Sequence, residues 1–159
     1  MSTKTHHYRT TLRWTGNTGQ GTRTYRGYSR DHTIAAAGKP AILASSDPAF
    51  RGDPTRWNPE DLLLAAVSAC HQLWYLHLCA TAGVTVLAYH DAAEATMAEE
   101  PSGAGQFTDI LLRPRVTISP ESDPATARAL HQKAHEYCFL ARSLNTPIRH
   151  DPEIIVAHQ

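Results

Sequence analysis

NPEDLLLAAVSACHQLWYLHLCATAG, residues 58–83, is the stretch whose reading decides the fold. Asn58 suits a helix N-cap, Pro59 the first helical position, and Glu60 and Asp61 the positive end of a helix dipole. Gly83 is a stop signal. Between them Leu62, Leu63, Leu64, Val67, Leu73, Trp74, Leu76 and Leu78 leave no wholly polar face. At ~1.5 Å per residue such a helix is roughly 36 Å long. One small sheet cannot cover it on every side. The stretch therefore predicts a second sheet or a second subunit, and we expect an intertwined homodimer with this helix near its centre. Cys70 and His71 sit side by side in its middle.

Upstream, HYRTTLRWT (residues 7–15) alternates apolar and polar positions and predicts a half-buried strand. GNTGQG reads as a turn, residues 22–29 as a second strand, His32 to Ala37 as a third, and Ala41 to Ser45 as another short one. The loop SSDPAFRGDPTRWNPE leads into the helix. Downstream, residues 84–98 and 107–119 read as two strands joined by the hairpin loop EEPSGAGQ. Pro114 within the second argues for an edge position or a bulge. Asp123-Pro124 opens a second helix whose apolar stripe is Ala127, Leu130, Ala134, Tyr137/Cys138, Ala141 and Leu144, ending at Asn145 to Pro147. A short strand closes the chain. The order predicts an α+β fold in a single domain, residues 1–159.

Acidic and basic residues balance at 15 each, so composition favours neither a nucleic-acid nor an anionic-membrane partner. Arg23, Arg26 and Arg30 form the one local basic cluster, without a nucleic-acid motif beside it. Residues 1–10 carry no apolar signal-peptide region, and Glu60, Asp61, His71, Gln72 and His77 make the long helix a poor membrane span. We therefore expect a cytoplasmic protein. Three cysteines, Cys70, Cys79 and Cys138, then point to buried thiols, a metal site or redox chemistry rather than a disulfide scaffold.

Cys70 taken alone reads as a small buried hydrophobe, and Cys138 faces the same question on the stripe of the second helix. If the two helices pack, their Cα atoms could approach the ~5.5–6 Å that a disulfide needs. Asn58-Pro59-Glu60, followed by a small-residue helix reaching Cys70 ten residues after the glutamate, resembles the OsmC/Ohr family of organic hydroperoxide reductases. So does the lone Cys138 near the end of the second helix, and the element order agrees over nearly the whole chain, closer to the OsmC branch. The resemblance implies an OsmC-like fold, with curved antiparallel sheets packed around two central helices in an intertwined homodimer. It implies a peroxidatic Cys70, a resolving Cys138, and an arginine that contacts the reactive sulfur and is held by Glu60. Arg51 matches that arginine best, with Arg56 as the alternative and Arg26 or Arg23 if the Ohr pattern holds.

Chemistry fits these roles. A thiolate attacks peroxide and a thiol barely does. A thiol in apolar surroundings needs a nearby cation to ionise, and guanidinium keeps its proton. Ten helical residues separate Glu60 from Cys70 by roughly 15 Å, so Glu60 would act through Arg51 or across a dimer. The implied cycle needs no bound cofactor. An organic hydroperoxide is the substrate and a lipoyl-type dithiol the reductant. Trp57, Leu73, Trp74 and Phe139 would favour alkyl or fatty hydroperoxides. Two features depart from the family: Phe139 follows Cys138 where many members have proline, and His71 follows Cys70 where many have an aromatic or aliphatic residue. His71 reads as a hydrogen-bonded core histidine or as a charge that lowers the Cys70 pKa. An alternative reading gathers Cys70, His71, His77, Cys79, His131, His135 and Cys138 into a transition-metal site, although no C-x-x-C or H-E-x-x-H motif exists. A third keeps the fold as a binding protein without peroxidase activity.

Overall fold

The computed structural model describes residues 3–158, whose backbone divides between Leu62 and Leu63 into two units. In the first, β1 (Thr11–Trp14), β2 (His32–Ala35) and β3 (Ile42–Ala44) form an antiparallel sheet in that order. The expected first strand is shorter than its alternating pattern, and all four of its residues are exposed. The expected strand over residues 22–29 does not form. Arg30 donates to the carbonyls of Tyr28 at 2.6 Å and Tyr25 at 2.7 Å, and its guanidinium lies over both rings. Those contacts curl the segment into turns, closed at its base by Ser29 N–H donating to Gly16 O at 2.9 Å. After β3 a short 3-10 turn, Pro48–Phe50, ends at Arg51.

Helix α1 (Pro59–Ala82) begins and ends where its local signals say. The Asn58 side chain accepts from Asp61 N–H at 2.7 Å, and Gly83 adopts φ 74°, which a Cβ would oppose. By length and composition α1 is apolar enough to cross a membrane. Within the second unit its stripe of Val67, His71, Tyr75 and Cys79 is buried instead against the protein.

The two long strands expected after α1 each bend once. Residues 84–98 become β4 (Val86–Asp91) and β5 (Glu94–Glu99), and residues 107–119 become β6 (Gly105–Leu112) and β7 (Pro114–Ile118). The chain end supplies two strands rather than one, β8 (Ile148–His150) and β9 (Glu153–Val156). The sheets run β4-β7-β9 and β5-β6-β8, each with one antiparallel and one parallel pairing rather than wholly antiparallel. Asp91 holds the crease between them: its carboxylate accepts from Arg113 N–H at 2.7 Å and from the Ser68 hydroxyl on α1. Pro114 is therefore not at an edge. It opens β7, the central strand of its sheet, at the one strand position that needs no preceding ladder bond.

Helix α2 (Pro124–Tyr137) is capped by the Asp123 side chain and stops earlier than its apolar stripe suggests. Cys138 is the C-cap, with extended backbone, and a 3-10 turn follows at Ala141–Ser143. The later stripe positions are apolar for a different reason. Leu140 and Leu144 pack on Val67, Ile110 and Leu112, whereas Ala127 and Ala134 belong to the cluster around Tyr75, Cys79, Val116 and Ile118.

Candidate active site

Cys70 and Cys138 meet. Cys70 is half-buried on α1, Cys138 is buried at the end of α2, and all three cysteines are free thiols. Burial raises the pKa of the Cys138 thiol, and the neighbouring Cys70 side chain adds to that rise. Ala141 N–H donates to Cys138 Sγ at 3.4 Å, opposing that rise. Cys79, two and a half turns further along α1, contacts Tyr75 in the core, where burial raises its pKa.

The aromatic residues around the pair come from both helices. Trp74, one turn after Cys70, packs on Tyr137 with centroids 5.2 Å apart and edge-on against Phe139 at 5.6 Å. Leu73, Trp74 and His77 line a groove of about 300 Å³, and Glu136, Tyr137, Phe139 and Arg142 line another of about 390 Å³. Of the candidate contact residues, Leu73, Trp74 and Phe139 thus belong to the same unit as the cysteines. Tyr137 was not among them, and its sequence signals are its place on the apolar stripe of α2 and beside Cys138.

Trp57, Arg51 and Glu60 lie in the first unit. Trp57 is exposed, with its backbone bridged to Ala44. Arg51 is the only non-glycine among the described residues with positive φ, 66°. Its N–H donates to Pro48 O at 3.0 Å, and the next residue must be glycine because a Cβ at Gly52 would lie 1.5 Å from Ser46 O. Among the described residues Arg51 and Glu60 do not form the ion pair that the family resemblance implies. Arg51 is exposed, and the loop's other arginine, Arg56, reaches Asp53 at 3.4 Å and Asp31 at 3.7 Å. Glu60 keeps one buried carboxylate oxygen, Oε2, without a hydrogen-bond partner.

His71 turns away from the thiols. It is buried, with its Nε2 3.0 Å from His131 Nδ1, and the His131 ring stacks on Tyr75 at 3.8 Å. His150 completes the cluster, 5.6 Å from His71 and 5.9 Å from His135 between centroids. Burial drives His71 down to about 4 and His131 to about 3, with neighbouring imidazoles adding to the shift. His71 is therefore neutral at pH 7 and brings no positive charge to Cys70. Among the described residues no group of three or more His, Cys, Asp or Glu side chains is arranged to hold a metal ion. Of the seven soft ligands, Cys70 and Cys138 make the thiol pair, His71, His131 and His135 lie with His150 in the histidine cluster, Cys79 sits in the core beside Tyr75, and His77 is exposed on α1.

Residues 52–153 match the family of OsmC-like proteins. The chain belongs to that family. An OsmC-like protein of unknown function from Vibrio cholerae is 30% identical and superposes with a TM-score of 0.83, covering 93% of this chain and 99% of its own. An organic hydroperoxide resistance protein from Legionella pneumophila shares the fold at 15% identity and a TM-score of 0.68, over 97% of this chain and 100% of that one. The organic hydroperoxide resistance protein OhrB of Bacillus subtilis does so at 17% and 0.64, over 94% and 98%. No curated protein matches the sequence. The OsmC-like match agrees with the family resemblance, and the α+β architecture with the element order.

Proposed function

We propose that this OsmC-like protein is a thiol-dependent peroxidase that reduces organic hydroperoxides to alcohols. The observation that carries the reading is the proximity of two free thiols 68 residues apart, one half-buried and one buried. Cys70, as thiolate, attacks the terminal peroxide oxygen. The O–O bond breaks, the alkoxide takes a proton and leaves as alcohol, and Cys70 becomes a sulfenic acid. Cys138 condenses with it, releasing water and forming a Cys70–Cys138 disulfide. A lipoyl-type dithiol restores both thiols by exchange. No step uses a bound cofactor.

In this reading Arg51 supplies the cation that the thiolate requires, and Glu60 holds its guanidinium bidentately. Two facts support the pair: the Arg51 backbone is strained, as at functional positions, and Glu60 carries a buried oxygen that a guanidinium would satisfy. Leu73, Trp74, Phe139 and Trp57 supply apolar surface for an organic chain. A homodimer belongs to the same proposal, since only 28% of the apolar window of α1 is buried within one chain. We take residues 1–159 as one OsmC-like domain because the family match runs across the division at Leu62. A reducing cytoplasm suits the cycle, because it returns the pair to thiols.

Steady-state turnover of cumene hydroperoxide with dihydrolipoamide tests the reading. Turnover lost in Cys70→Ser supports it, and a wild-type protein that leaves the peroxide untouched refutes it.

A further inference from the structure

The end of α2 leaves the position of Cys138 underdetermined by helix geometry. Tyr137 is the last helical residue, and Cys138 is already extended at φ −64° and ψ 113°. Its N–H still reaches Ala134 O at 2.9 Å and His135 O at 3.3 Å, but the chain beyond it turns through a 3-10 segment with no side-chain cap at Leu140. Beyond Cys138, Leu140 packs on the cluster that includes Val67 of α1, and at the residues flanking Cys138 the grip from α1 is aromatic. Tyr137 and Phe139, the residues on either side of Cys138, both pack on the Trp74 indole at 5.2 and 5.6 Å. Trp74 lies four residues after Cys70, on the same face of α1. One indole thus ties both flanks of the second thiol to the helix turn beside the first. Aromatic pairs of this kind add directional preference to simple burial.

We propose that Trp74 is a positioning residue for disulfide formation, clamping Tyr137 and Phe139 so that Cys138 is held within bonding reach of Cys70. The role rests on the peroxidase reading for its place in a cycle but not for its measurement. It gives Trp74 a task beyond lining an apolar groove. It also supplies the restraint that a proline after Cys138 would otherwise give, because Phe139 in that position is held through its ring.

The test is an equilibrium with glutathione buffers, in which the Cys70–Cys138 bond forms as glutathione disulfide takes up the two electrons and two protons and leaves as two thiols. The full chain is titrated as wild type, Trp74→Leu, Trp74→Phe and Phe139→Leu, with Val116→Ala as a control for general loosening of the core. The effective concentration of the two thiols is expected to fall at least about tenfold in Trp74→Leu and to stay within about threefold of wild type in Trp74→Phe. Phe139→Leu, at a residue 64% exposed, is expected to fold and to show a loss of about threefold. If Trp74→Leu does not fold, Phe139→Leu decides the matter. An unchanged value in Trp74→Leu or Phe139→Leu overturns the proposal, and so does an equal loss in Val116→Ala. A wild-type protein inert to peroxide would refute the peroxidase reading, while the glutathione equilibrium would still measure what Trp74 does.

Discussion

Along α1 the stripe of Val67, His71, Tyr75 and Cys79 is buried, while Cys70 and Trp74, about 100° round the helix, are half-buried and Leu73 is 66% exposed. The first face is spent on stability. Tyr75 donates its hydroxyl to Ala127 O at 3.0 Å, and His71 is locked to His131. The second face carries the thiol that meets Cys138 and the indole that grips its neighbours. Adjacent residues such as Cys70 and His71 therefore need not share a task. A helix lets a protein hold a rigid neutral core on one side and present a reactive group on the other.

If that division is right, substitutions on the two faces separate stability from activity. Cys70→Ser should abolish peroxide turnover, a loss of about a thousandfold or more, equivalent to about 4 kcal/mol of barrier, and shift the thermal midpoint little. Stopped-flow turnover and calorimetry on one preparation check both halves. Tyr75→Ala should do the reverse, removing about 3–5 kcal/mol of stability in a urea titration. An equal loss of activity in a still-folded sample would blur the distinction between the faces.

Acid sharpens the comparison. His71 and His131 are held neutral in the fold, at about 4 and about 3, from an ordinary 6.5. The unfolded chain therefore binds their protons first as pH falls, so their contribution to stability is complete above about pH 6.5 and is lost on the way down. For His71 alone the loss by pH 4 is roughly 3 kcal/mol. Urea midpoints between pH 7 and 4 should fall accordingly, and His71→Phe should flatten that slope. An unchanged slope would mean the histidine core is more hydrated than its burial implies. Tyr75→Phe is the mildest cut into the buried face. It removes one hydrogen bond and leaves Ala127 O short of a partner, costing about 1–2 kcal/mol with turnover retained.

Features written in local chemistry were readable in the sequence. Asn58-Pro59 and Asp123-Pro124 open helices because a cap and a fixed φ act on their own neighbours, and Gly83 ends one for the same reason. The Glu60–Cys70 interval was legible too, being a spacing within one helix. Features set by distant partners were not. The crease at Asp91 depends on Ser68 and on Arg113, each more than twenty residues away. The false strand at residues 22–29 has a plausible pattern but no neighbouring strand, and Arg30 takes its carbonyls. The early end of α2 is invisible in its stripe because Leu140 and Leu144 remain apolar to serve another cluster. His150 joined no pattern in the sequence, since its partners lie on both helices.

The central claim is that Cys70 and Cys138 form one redox couple and Cys79 stands apart. Its most direct test is to add one equivalent of cumene hydroperoxide to the fully reduced chain, count thiols, and map the cross-link by peptide mass spectrometry. The account predicts loss of two thiols per chain, a single Cys70–Cys138 disulfide, a free Cys79, and full recovery with dihydrolipoamide. Three unreacted thiols, or a disulfide that includes Cys79, would contradict it.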